Sequence, residues 1–71
     1  MKIFYDNQAE TAYIQLETTT PDGVIEIDDG VHLDTTADNR IVGIEILSAS
    51  KRISLPSLFV YEIESPFASA A

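Results

Sequence analysis

Apolar residues recur at every second position through most of this chain, a spacing that a sheet buries along one face and a helix cannot. In residues 11–17, Ala12, Ile14 and Leu16 fall on one side and Tyr13, Gln15 and Glu17 on the other, the pattern of a half-buried antiparallel strand. Residues 2–5 form a shorter strand, ended by the turn-forming run 6–10. After a polar loop containing Pro21, Asp22 and Gly23, residues 24–28 place Ile25 and Ile27 on the core face. The Asp29-Gly30 pair suits the positive φ angles of a tight hairpin or bulge. Val31 and Leu33 then resume the apolar side, with His32 and Asp34 opposite. Residues 36–40 fit a type I turn with Asn39 in the left-handed region. The most apolar run is 41–47, where Val42, Ile44 and Ile46 form the central core and Gly43 admits a close neighbour or a bend.

Beyond residue 47 the period changes. Ser48 is placed to cap a short helical turn over 49–52, with Lys51 and Arg52 at the end the helix dipole favours for cations. Pro56 could open a second helix, but β-branched and aromatic residues dominate 58–63, and that stretch is read as a strand. Residues 65–71 read as a loose tail. The expected fold is therefore mainly β, of the α+β type: a small antiparallel meander of about five strands, a short helical turn, and an added C-terminal element. One compact domain is expected over residues 1–64, with a flexible tail over 65–71.

Composition narrows the function. Twelve acidic residues face four basic ones in 71, a net charge of −8, and cysteine is absent. Disulfide scaffolds and thiolate zinc sites are excluded for lack of sulfur. Direct binding of nucleic-acid phosphates is disfavoured, because a chain so poor in cations is repelled by the polymer. No run reaches the roughly 18 apolar residues of a membrane span. The N-terminus, with Asp6 close behind the first apolar residues, lacks the apolar centre of a signal peptide. A soluble, cytoplasmic protein is expected. So short a chain removes only about 60% of its unfolded surface on folding, and self-association is the simplest further source of burial.

Several constellations invite chemistry. Asp34, Asp38 and Glu45 stand at positions one, five and twelve of a calcium loop, but Thr36 and Asn39 occupy the places of an acid or amide and of glycine, and the flanks read as strands. Local turn bonding by the Asp and Asn side chains is the preferred reading. Asp28, Asp29 and Asp34 could pair for acid–base work, although consecutive strand residues point to opposite sides. His32 is the only imidazole and sits on the outer face among acids, the setting of an exposed or cross-strand-paired histidine. Lys51 and Arg52 are helix-end charges. No catalytic residue, cofactor site or metal site is assigned. The aromatic residues are more informative: Tyr13 lies opposite the core face, and Phe59 and Tyr61 fall in the C-terminal element. Either the C-terminal segment folds over the Tyr13 face as a second layer, or Tyr13, Phe59 and Tyr61 mark an interaction surface.

Three stretches carry a family resemblance: residues 5–14, residues 28–34, and residues 40–52, the last with Val42-Gly43-Ile44-Glu45-Ile46-Leu47 followed by Ala49-Ser50-Lys51-Arg52. In this order they resemble the small prokaryotic family catalogued as domain of unknown function 2283, over roughly residues 2 to 53. Members commonly have Asp where this chain has Thr11, and often Asp where it has Ser48. The resemblance implies a compact antiparallel β domain with a short helix and brings no catalytic residue or cofactor. It also implies small stand-alone proteins, some suspected as partners of toxin-like neighbours. The function expected is that of a non-enzymatic interaction module, a homo-oligomer such as a homodimer or an antitoxin- or inhibitor-type partner. The alternative is a small-ligand or divalent-metal binder using the acidic turns.

Overall fold

The computed structural model describes residues 1–64; the expected tail, 65–71, lies outside the described residues. Strands β1 (Lys2–Asp6), β2 (Thr11–Gln15), β3 (Gly23–Asp28), β4 (Val31–Thr35) and β5 (Ile41–Ile46) form one antiparallel sheet. Helix α1 (Ala49–Arg52) and a 3-10 helix (Leu55–Phe59) follow. The mainly β class and the short helical turn are as the alternation predicts.

The strand order, β1-β2-β5-β4-β3, is not that of a simple meander, because β5 enters between β2 and β4. The central place goes to the most apolar strand, whose two edges are then both paired with neighbouring strands. The crossing falls on the link between β2 and β3, residues 16–22, which must pass the ends of two strands, β5 and β4. Three strand spacings are about 14 Å, and an extended link of this length spans about 23 Å. It is tied down as it goes: the Leu16 and Glu17 amides donate to the Val42 carbonyl (2.7 and 3.1 Å), and the Asp22 amide donates to the Thr35 carbonyl (2.8 Å).

The turns form as their residues require. The Asp6 carboxylate accepts from the Gln8 and Ala9 amides at 2.9 and 3.1 Å. Gly30 takes φ 81° in the β3–β4 hairpin and Asn39 φ 65° in the β4–β5 hairpin. Ser48 departs from its expected role. It adopts φ 51° and makes no side-chain cap bond; its left-handed backbone turns the chain onto the apolar face of the sheet. The Ala49 amide is satisfied by the Glu10 carbonyl at 2.8 Å instead, and Ala49 is fully buried.

The C-terminal strand expected over residues 58–63 does not form. Pro56, which has a helical φ and no amide to donate, opens the 3-10 helix, and Leu55 and Leu58, three residues apart, share one of its sides. Val60 returns to extended angles, yet the residues after it join no strand among the described ones. This segment also covers the opposite face from the one considered for it: Leu55, Leu58 and Phe59 close against Ile3 and Tyr5, on the side of the sheet away from Tyr13.

Among the described residues the fully buried apolar ones are Ala12, Val42 and Ala49, and Val42 is the single large one. Val42 is the extra residue of a β-bulge between the pairs Asp34–Gly43 and Thr35–Ile41. Ile44 and Ile46, expected beside it in the core, are only half-buried, because one turn of helix and one 3-10 turn cannot roof five strands.

Candidate functional site

The ladder register assembles two neighbouring rungs of opposite character, each crossing all five strands. Phe4, Tyr13, Glu45, His32 and Glu26 lie side by side on one face. Ile3, Ile14, Ile44, Leu33 and Ile25, each next in sequence to a member of the first set, lie side by side on the other.

The polar rung is internally bonded. His32 Nδ1 lies 3.2 Å from Glu45 Oε1, and its Nε2 lies 4.0 Å from Glu26 Oε2. The sole imidazole is thus a cross-strand partner of two carboxylates. The Tyr13 hydroxyl donates to Asp34 at 2.7 Å, its ring lies across Gly43, and it meets the Phe4 ring at a centroid distance of 6.4 Å. Bonding to Asp34 pushes the Tyr13 phenol up to about 12, with burial and the charges of Asp34 and Glu45 adding to the effect. The neutral phenol is the form this face holds.

The acidic turns are likewise engaged separately. Asp38 is held below the usual carboxylate range, chiefly by the Thr36 hydroxyl, with Arg40 contributing at 3.5 Å. Asp28 accepts from the Asp29 amide (2.9 Å) and pairs with Arg52 (3.4 Å). Arg40 also pairs with Glu17 at 3.0 Å, and Ser50 donates to Glu10 at 2.8 Å. Asp34, Asp38 and Glu45, spaced as in a calcium loop, therefore turn to Tyr13, to Thr36 and to His32. Asp28 and Asp34 also have different partners. Among the described residues no three carboxylate or imidazole groups converge as a metal cage.

The aliphatic rung is unevenly covered. At its β1–β2 end, the 3-10 helix lies over the sheet and bounds an apolar cavity of about 360 Å³ lined by Ile3, Tyr5, Leu55, Leu58 and Phe59. At its β3 end, Ile25 is 49% exposed and Ile27, the extra residue of a second bulge, is 58% exposed. Alternation assigned both to the core face; they are on that face, but nothing described lies over them. The three aromatic candidates are divided. Tyr13 belongs to the polar face, while Phe59 and Tyr61 stand outside the segment that covers Ile3 and Ile14, 86% and 75% exposed. The residues that sequence reasoning missed are Ile25 and Ile27. The available signal was a count: the apolar face holds more large side chains than the short non-strand segment can cover.

The family described as a protein of unknown function (DUF2283) matches residues 2–50. The chain belongs to this family. The match spans all five strands and the opening of α1, and it ends before the 3-10 helix that covers the β1–β2 end. The DUF2283 description names no activity, so what this member can do rests on its own surfaces. No curated protein and no solved structure matches the chain.

Proposed function

We propose that this DUF2283 domain is a non-enzymatic protein-interaction module. The observation that carries the reading is the half-open aliphatic face, with Ile25 and Ile27 in solvent beside a sheet whose other face is bonded to itself. Contiguous exposed apolar surface on a small domain is the mark of a docking site. Among the described residues the titratable groups are engaged with one another: His32 and Tyr13 each have carboxylate partners, and other acids are distributed among separate turns. Charge adds a second property. With −8 overall and both arginines already paired, the domain attracts basic partners and repels acidic ones, which sets association rate and partner choice more than affinity. The reading covers both self-association and an inhibitor-type complex with a basic target.

The experiment is low-salt affinity capture from the native host together with analytical ultracentrifugation of the purified chain. Either a self-association equilibrium or a saturable protein partner is expected. A monomer that captures nothing overturns the reading.

A further inference from the structure

The two ends of the aliphatic face differ in height. Over β1 and β2 the chain is thickened by the 3-10 helix, whose outer side presents Phe59, Val60 and Tyr61 to solvent, while α1 lies at the end of the sheet, held to Glu10 by Ala49 and to Asp28 by Arg52. At the other edge, on β3, Ile25 and Ile27 are exposed and form the lower part of this step. Raised and lowered parts are both apolar. A two-fold axis running along β5, the middle strand, and lying in the plane of contact sets the raised part of one copy over the lowered part of another, twice. An axis across the strands would set raised part against raised part. The stepped face is therefore complementary to itself in one orientation.

We infer that the aliphatic face is the interface of a symmetric homodimer, in which Phe59, Val60 and Tyr61 of each protomer cover Ile25 and Ile27 of the other. This rests on the reading of the domain as an interaction module and names its partner as a second copy of the chain. Two further observations support that occupant. A domain of this size with one large fully buried side chain among the described residues has little core of its own there, and the dimer supplies a further layer. The exposed parts of Phe59 and Tyr61 amount to on the order of 300 Å². With Val60, Ile63, Ile25 and Ile27 the contact approaches the roughly 800 Å² per protomer of a stable interface. Isologous contact also requires a patch that tolerates itself. The aliphatic face does, whereas the carboxylate-rich polar face would place like charges together.

Sedimentation equilibrium of the full chain across a salt series tests the inference. Two protomers of charge −8 repel, so dimerisation should tighten as salt rises; a complex with a basic partner should loosen. Tyr61→Glu and Ile27→Asp should each weaken the dimer at least tenfold, with the far-ultraviolet circular dichroism unchanged. Tyr61 is so exposed that its substitution does not put the protomer fold at stake. Because the chain has no cysteine, mixing Ile27→Cys and Tyr61→Cys single variants under oxidation should give the mixed disulfide in preference to either like pair. A monomer at about 100 μM, a concentration at which even a weak dimer is populated, overturns the inference. If that monomer still binds a basic protein at low salt, the interaction-module reading survives it. A dimer indifferent to Tyr61→Glu and Ile27→Asp but lost on Phe4→Glu places the interface on the polar face and likewise overturns the inference.

Discussion

The two rungs use the same five strands and adjacent residues, yet they solve opposite problems. From Phe4 to Glu26, each polar group of the first rung has a neighbour on the next strand or beside it: His32 between Glu45 and Glu26, and Tyr13 on Asp34. The polar groups of such a rung are satisfied in water, since their outer atoms are solvated and their inner ones are bonded. From Ile3 to Ile25, the second rung has only apolar neighbours and depends on what lies over it. That cover is present at Ile3 and absent at Ile25. One strand alternation thus produces a face that ends the molecule and a face that asks for more of it.

The largest expected effect separates the rungs at adjacent positions of the central strand. Ile44→Ala removes a half-buried side chain from the middle of the aliphatic rung and should cost about 2–3 kcal/mol, the lower part of the range for such truncations. Glu45→Ala, one residue along and on the other face, should cost no more than about 0.5 kcal/mol, as expected for a solvent-accessible cross-strand pair. Urea unfolding of both variants at one protein concentration measures the difference. Equal losses would break the comparison.

Gly43→Ala tests how closely the polar face is packed. A methyl group there would overlap the Tyr13 phenol oxygen and its ring carbon. The ring must move and give up its bond to Asp34, at a cost of about 1–3 kcal/mol for overpacking. Tyr13→Phe, which loses the bond alone, should cost about 1 kcal/mol. In the Gly43→Ala background the same change should cost much less, because the bond is already lost; additive losses would show that the ring tolerates the methyl group in place. The phenol also leaves a mark on pH dependence. Its folded value, about 12, lies above the ordinary 10.0, so the stability it confers is complete below pH 10.0 and falls as pH rises through about 12. Tyrosinate absorbance should show one late-titrating component that Tyr13→Phe removes.

Much of this architecture was legible in the chain. Alternation assigns Ile14, Ile44 and Leu33 to one face and Tyr13, His32 and Glu45 to the other, and Gly30 and Asn39 announce their turns by needing positive φ. The strand order was not legible, because local period carries no information about which strand lies beside which, and the link over residues 16–22 permits more than one crossing. Nor was the cover. Whether Ile25 is buried depends on how far the chain beyond Ser48 reaches, and that is decided by the left-handed turn at Ser48 and the helical start at Pro56, two backbone choices that outweigh the β-branched residues following them. The site was half legible for the same reason. The residues of both surfaces could be named, but which surface was finished could not.

The smallest expected effect lies outside both rungs and serves to calibrate them. At the β4–β5 hairpin, the Thr36 hydroxyl bonds the Asp38 carboxylate, while the Thr36 oxygen accepts the Arg40 amide at 3.0 Å and the Thr36 amide donates to the Arg40 carbonyl at 2.9 Å. Because the folded Asp38 ionises below the ordinary 3.8, its contribution is present above that value and disappears as pH falls through the depressed one. Asp38→Asn should therefore lower the urea midpoint slightly near neutral pH, and the difference from the parent chain should shrink as the pH falls below 3.8. The carboxylate is open to solvent, so the difference should be smaller than that from Tyr13→Phe. It should also leave self-association untouched, because the hairpin tip belongs to neither face. A large loss, or a change in oligomeric state, would mean that the tip supports one of the two rungs, and the division of the sheet into a finished and an unfinished face would have to be redrawn around it.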